Sequence, residues 1–281
     1  MKKIIITGST GFIGKTLIRE FMSEDYKIYG LSSKDGDVCL KDTWENMPKA
    51  DVLIHLAAKT FVPNSWDNEK SFIDTNSISL LNAINYCRNH KARLIFLSSF
   101  IYENSNDPVN EDSKKDPRNP YSLSKLLAEE ICKFYKKTSS LDLIILRPFN
   151  VYGPNQDQLF LIPKLIKQIS ENEKIIVFDT SPKRDYIYII DLIKAIKKSI
   201  FYKGESYIFN IGTGKSFSVL EVINILQKIY KTNLPIEIIN KERKMEIKDS
   251  IANIDLAKRE LIWAPEYSLE EALKEFIITK N

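Results

Sequence analysis

The chain has 281 residues, 43% hydrophobic and 28% charged, with 41 basic against 37 acidic side chains and a net charge of +4. That length allows one large domain or two unequal lobes with ample core, and the balanced charge gives no electrostatic footprint for nucleic acid. No apolar run reaches the roughly 20 residues of a membrane span, and the first residues lack a signal-peptide pattern, so no membrane association and a cytoplasmic location are expected.

Residues 4–6, Ile-Ile-Ile, read as a buried parallel strand. Gly8, Gly11 and Gly14 follow, and residues 15–22 place apolar side chains at helical spacing. Strand, glycine turn and helix are the setting a dinucleotide fingerprint requires. Gly8 permits a sharp turn, Gly11 a close approach of pyrophosphate to backbone, and Gly14 tight packing of helix on strand. The unpaired N–H groups of the helix start then face the phosphates.

Residues 26–31 read as a second strand, and residues 32–50 are polar with little room for a full strand and helix. Residues 50–58 form a buried strand running into Ala57-Ala58, small enough for a flat ring or sugar to lie against the backbone. A long helix is expected over 72–89, a strand over 93–99 ending in Ser98-Ser99, a surface loop over 103–119, a helix over 121–137 and a strand over 141–147 stopped by Pro148. Strands and helices thus alternate to about residue 150. The fold class expected is α/β, a doubly wound parallel sheet with right-handed crossovers. Ligands of such sheets bind beyond the strand C-termini, where Gly8–Gly14, Ala57-Ala58, Ser98-Ser99 and Phe149-Asn150 would all lie.

Beyond 150 the pattern is less regular. Helices are expected over 160–171, 192–201 (with Asp191 as its cap), 219–230 and 269–279, and strands over 175–178, 184–190, 207–211 and 236–240. Residues 207–211 are expected to return to the main sheet. The expected division is a dinucleotide-binding domain of residues 1–152 plus about 183–213, and a smaller lobe of 153–182 and 214–281. The three cysteines, Cys39, Cys87 and Cys132, show no Cys-x-x-Cys spacing and are expected as reduced thiols. His55 and His90 stand far apart, so no metal site is expected.

Tyr121 and Lys125 stand at i and i+4, on one face of a helix start. A free tyrosine is a poor base at neutral pH, and a nearby ammonium favours the phenolate. The pair can then move a proton to or from a sugar hydroxyl. A serine at an adjacent strand end can hydrogen-bond the same oxygen.

Nearly the whole chain resembles the extended short-chain dehydrogenase/reductase family acting on nucleotide sugars. The resemblance is carried by GSTGFIG, DVLIHLAA, DTNSISLLNAI with Asn76, SSFIY, YSLSK, RPFNVYGP, RDYIYIIDL and FNIGTG. It implies Tyr121 as general acid/base, Lys125 holding the nicotinamide ribose, and Ser99 or Ser98 assisting. The serine is Ser99 when counted from the strand and Ser98 when counted back from Tyr102; strand register is the tighter constraint and favours Ser99. The cofactor set that follows is Gly8, Thr10, Gly11, Phe12, Ile13, Gly14, Ser32, Ser33, Lys34, Leu56, Ala57, Ala58, Lys125 and Pro148. Asn150 and Arg184 resemble contacts to the diphosphate of a nucleotide-diphosphate sugar, and a guanidinium fork suits phosphate oxygens. The resemblance also implies a homodimer through the helices near 72–89 and 121–137.

Two departures narrow the activity. The end of the second strand reads Leu31-Ser32-Ser33-Lys34, with no carboxylate in place to repel a 2′-phosphate, so NADP is expected. The alternative is NAD, with Ser32 on the 2′-OH. Phe100 and Ile101 occupy the places where 4,6-dehydratases of the family carry an Asp-Glu pair, which argues against water elimination. Glu103 stands where the family usually has Gly, and nothing in the sequence accounts for it. The leading expectation is an NADPH-dependent reductase of a 4-keto-6-deoxy sugar, followed by a 4-epimerase with tightly bound NAD, and then a non-catalytic nucleotide sensor.

Overall fold

The computed structural model describes residues 1–102, 105, 107–239 and 247–280. Glu103 lies outside the described residues, as does Asn240, the end of one expected strand.

The chain begins β1 (Lys2–Thr7), α1 (Phe12–Phe21), β2 (Tyr26–Leu31), α2 (Lys41–Glu45) and β3 (Val52–His55). It continues through α3 (Val62–Ser65), α4 (Glu69–Ile73), a π turn (Asp74–Ile78), α5 (Leu80–His90), β4 (Arg93–Leu97), α6 (Pro120–Ser139) and β5 (Leu143–Pro148). Then come β6 (Asn150–Tyr152), α7 (Leu161–Glu171), β7 (Ile175–Val177), β8 (Lys183–Tyr188), α8 (Ile189–Phe201), β9 (Ile208–Ile211) and β10 (Ser216–Ser218). The last elements are α9 (Val219–Tyr230), β11 (Ile236–Ile238), α10 (Asp255–Glu260) and α11 (Leu269–Lys280).

Six strands form one parallel sheet in the order β2-β1-β3-β4-β5-β9. The run Ile4-Ile5-Ile6 explains why both faces are covered. Ile4 and Ile6 point into the core beneath α1 and α8, with Ile54, Ile95 and Leu146. Ile5 points into the opposite core, with Leu53, Leu94, Phe96 and side chains of α5 and α6. The strand order reverses between β1 and β3, which opens a crevice at their C-terminal ends.

Beyond β5 the chain builds a three-stranded sheet, β10-β8-β6, and a pair, β11-β7. Strand β9 returns to the main sheet as expected, pairing with β5 from Ile145↔Ile208 to Pro148↔Ile211.

Several local expectations are corrected. The helix expected over 72–89 is broken by the π turn at residues 74–78. Asp191 does not cap a helix starting at 192. Helix α8 starts three residues earlier with Tyr188 as N-cap, and the buried Asp191 carboxylate instead accepts from the Glu266 and Tyr267 amides at 3.0 and 3.2 Å. Helices α2 and α10 and strand β10 are short and were not expected from periodicity.

Candidate active site

The glycine turn after β1 is as tight as backbone permits. Gly8 has φ +67°, and a Cβ there would sit 2.9 Å from the Ala57 nitrogen. At Gly14 a Cβ would come within 2.2 Å of the Gly8 carbonyl oxygen. At Gly11 it would sit 3.2 Å from that same oxygen. Gly11 is the N-cap of α1, and no side chain caps the helix. The first-turn N–H groups are therefore available to an anion. This cradle fits a dinucleotide pyrophosphate, with Gly8, Thr10, Gly11, Phe12, Ile13 and Gly14 along it.

Thr7, unnoticed in the sequence, locks the neighbouring loop onto this turn. Its Oγ1 accepts from the amides of Leu56 and Ala57, both at 3.1 Å, and lies 3.1 Å from His55 Nδ1. The two amides fill the acceptor sites, which leaves the hydroxyl hydrogen for His55. His55 is neutral, burial (with a lesser push from the Lys125 charge) bringing its pKa down to about 3. Leu56 and Ala57 are thereby held, half-buried, against Gly8, with the half-buried Ala58 following them.

The end of β2 corrects the sequence reading. Ser32 is buried, while Ser33 and Lys34 are exposed. A carboxylate is present after all, delivered from three residues downstream. Asp35 Oδ2 accepts from the Ser32 amide at 2.8 Å and the Ser32 hydroxyl at 2.6 Å, and these bonds hold the acid below its usual range. The tight turn that folds Asp35 back was invisible to a reading by strand position. Strand end β2 thus offers both a lysine cation and an aspartate anion.

On the other side of the crevice, α6 starts with Asn119, whose side chain accepts from the Ser122 amide in a capping box, and with Pro120 at the first turn. This start fixes Tyr121 and Lys125 on the helix. Three consecutive residues at the end of β4 meet α6. The Leu97 carbonyl accepts from Lys125 Nζ at 2.9 Å. The Ser98 hydroxyl donates to Glu129 Oε1 at 2.6 Å. Ser99 stands close enough to Tyr121 to act on its phenol.

The Ser98 hydroxyl is committed to Glu129, which leaves Ser99 as the candidate strand-end partner of Tyr121. The electrostatics also differ from the expected pairing. Burial pushes the Tyr121 phenol above its ordinary value, and Ser99 only opposes that rise. Lys125 is pulled down to about 8 by burial, with Glu129 opposing. The ammonium rests on Leu97 and 5.0 Å over the Phe96 ring, and it does not lower the phenol. Tyr121 is thus a neutral phenol at pH 7.

Asn76 sits in the π turn, where its side chain closes a ring of contacts. It accepts from the Lys59 amide at 2.8 Å and donates to the Lys59 carbonyl and Ser124 Oγ, both at 2.9 Å. A π turn commonly marks a functional segment; here it ties the loop after β3 to α6. The apolar pair in place of the dehydratase acids is packed: Phe100 stacks on Phe149 at 5.3 Å and Ile101 is buried.

The diphosphate candidates lie one sheet further on. Pro148 ends β5, and Asn150 Nδ2 donates to the Asp185 carbonyl at 3.0 Å. Arg184 is half-buried, and its Nη1 donates to the Lys183 and Ile247 carbonyls at 2.7 and 2.6 Å. Beside it Asp185, a further residue the sequence reading passed over, is buried. Its carboxylate accepts from the amides of Thr213, Gly214 and Ala252 and from the Thr213 hydroxyl. That hub ties β8 to the turn after β9. Among the described residues no His, Cys, Asp or Glu cluster suits a metal, and no helix is long and apolar enough to cross a membrane. Cys39, Cys87 and Cys132 are free.

Residues 4–212 match the NAD dependent epimerase/dehydratase family. A UDP-glucuronate 4-epimerase of Thermodesulfobacterium geofontis is 33% identical, over 90% of this chain and 78% of that one. A dTDP-4-dehydro-6-deoxyglucose reductase of Escherichia coli is 30% identical, over 98% and 96%. Among solved structures, the UDP-glucuronic acid 4-epimerase of Bacillus cereus, in complex with UDP-glucuronic acid and NAD, superposes with a TM-score of 0.88. It is 26% identical, with 99% of this chain and 100% of that one covered.

Proposed function

The chain belongs to the NAD dependent epimerase/dehydratase family of nucleotide-sugar enzymes, and on that premise we propose that it is an NADPH-dependent reductase of a nucleotide-linked 4-keto-6-deoxy sugar. The observation that carries this reading is the half-buried Tyr121 phenol, kept protonated at the start of α6 with Ser99 beside it. Reduction of a ketone consumes a proton, and a phenol kept protonated is the donor it needs. The reduced cofactor, when bound, supplies the hydride for C4.

In this reading Tyr121 donates its proton to the oxygen left at C4, and Ser99 hydrogen-bonds the same oxygen. Lys125 holds the nicotinamide ribose. Lys34 and Ser33 receive the 2′-phosphate, Ser32 being committed to Asp35, and the α1 N-terminus with its glycines receives the pyrophosphate. Arg184 and Asn150 hold the sugar-nucleotide diphosphate, with residues 153–182 and 214–281 forming the lobe that encloses the sugar. The relatives support both reductase and epimerase chemistry.

One observation favours a second reading, a 4-epimerase with retained NAD: the Asp35 carboxylate at the end of β2, a group suited to ribose hydroxyls and opposed to a 2′-phosphate. Purified protein tests the two directly. The bound nucleotide is released and identified, and NADPH oxidation is followed with dTDP-, GDP- and UDP-linked 4-keto-6-deoxy sugars. Stoichiometric NADPH consumption supports the reductase; co-purified NAD and interconversion of C4 epimers without net oxidation replaces it with the epimerase.

We further propose a homodimer. Ile73, Ile78, Leu81, Leu127, Ile131 and Phe134 line an apolar groove between the α4–α5 segment and α6, and Ile78, Leu127 and Phe134 are exposed there. A second copy of this chain covers it. Sedimentation equilibrium checks this, with a monomer across micromolar concentrations as the opposing result.

A further inference from the structure

Glu129 has no solvent-exposed side-chain surface and lies on α6 one turn beyond Lys125. Both of its oxygens are hydrogen-bonded. Oε1 accepts from Arg147 Nε at 2.8 Å and from Ser98 Oγ at 2.6 Å, and Oε2 accepts from Arg147 Nη2 at 2.5 Å. Arg147 Nη1 donates onward to the Tyr102 hydroxyl at 2.5 Å and the Glu111 carbonyl at 2.9 Å. The Tyr102 hydroxyl donates to Asn210 Oδ1 at 2.6 Å. One carboxylate therefore links α6 to β4 and β5, and through Tyr102 to β9.

Arg147 alone neutralises this charge; the bond to Ser98 does something else. Leu97, Ser98 and Ser99 are consecutive; the first two hydrogen-bond Lys125 and Glu129 of the same helix, and Ser99 stands beside its Tyr121. The middle pair sets the register of the outer two. We propose that Glu129 is the positioning residue of this site: it locks α6 against the end of β4 and holds the Lys125 ammonium in place, charged, where the cofactor ribose would meet it.

The groups facing Lys125 leave Glu129 as the source of that charge. From its own helix come Tyr121, Glu129 and Cys132; from β4 the Leu97 carbonyl and Phe96 ring; from β3, His55. Tyr121 and Cys132 are pushed up by burial and stay neutral, and His55 is neutral. Burial works against the ammonium, and the Glu129 carboxylate opposes it.

The inference rests on the reading in which Lys125 holds the cofactor beside Tyr121, and its test needs neither substrate nor turnover, so it can fail without the reductase reading failing. The ε-carbon of Lys125 is followed by NMR in 13C-lysine-labelled protein and assigned with Lys125→Met. In the parent protein the ammonium titrates near 8. In Glu129→Gln it titrates about one pKa unit lower, and in Glu129→Asp, which keeps the charge, it stays near the parent value. Should Glu129→Gln fail to fold by stranding Arg147, the Glu129→Gln/Arg147→Met double variant removes both charges and is expected to show a smaller shift in the same downward direction, because Glu129 and not Arg147 acts on Lys125. An unshifted Lys125 in either folded variant overturns the proposal.

Discussion

Lys125 donates its ammonium proton to the Leu97 carbonyl across 2.9 Å, which moors the lysine to the strand end rather than to the phenol one turn back. Burial has drawn this amine down to about 8. A lysine loses its charge as pH rises through its pKa, so its function is complete below that value and fades above it. NADPH affinity, read by fluorescence titration, is therefore expected to fall as pH rises through about 8 in the parent protein. In Lys125→Met it is expected to be weak and flat with pH across that range. A parent profile that holds level to pH 10 contradicts the assignment.

Gly14→Ala is expected to abolish cofactor binding and to destabilise the fold by roughly 1–3 kcal/mol, the range for overpacking a site that cannot yield. The added methyl would meet backbone, the Gly8 carbonyl oxygen at 2.2 Å and the Ser9 Cα at 2.9 Å. Gly11→Ala meets the same oxygen only at 3.2 Å and is expected to cost less. Thermal melts with and without NADPH check the order. Equal melts for both variants contradict it.

Cofactor preference turns on two adjacent side chains of opposite sign. Lys34→Ala is expected to weaken NADPH binding against NADH by about five- to tenfold, the equivalent of about 1 kcal/mol for a half-solvated charge contact. Asp35→Asn is expected to move the ratio the other way, because it removes the anion that Ser32 holds in place. Calorimetric titration of both variants with both nucleotides measures this. A ratio that ignores Lys34 and responds only to Asp35 supports the NAD reading.

The sheet was legible because its strands are short apolar runs with glycine, proline or polar punctuation. Residues 26–31 and 219–230 have the bounds expected from pattern alone. What stayed hidden was set by hydrogen bonds across large sequence separations or by tight turns. Thr7 meets the Leu56 and Ala57 amides 49 and 50 residues away, and nothing in a threonine after three isoleucines announces that. Asp35 reaches back across a turn, so inspection of the strand end alone missed its carboxylate. Glu129 could have been found from its place four residues after Lys125 on a buried helix face. Its partner Arg147, though, is a cation inside a strand that reads as apolar. Counting gave both Ser98 and Ser99, with strand register favouring Ser99, and what separates the two side chains is a contact counting cannot see, the capture of Ser98 by Glu129.

Tyr121→Phe is the most direct measurement. Removing the one hydroxyl leaves the ring against Phe72, at 6.5 Å between centroids, and leaves the glycine cradle untouched. NADPH is expected to bind with unchanged affinity while turnover of the nucleotide-linked 4-keto sugar falls by roughly 10²–10⁴-fold, the span a positioned general acid contributes. Turnover within a few-fold of the parent protein, with the cofactor still bound, would mean that the proton comes from elsewhere and that Tyr121 is not the acid.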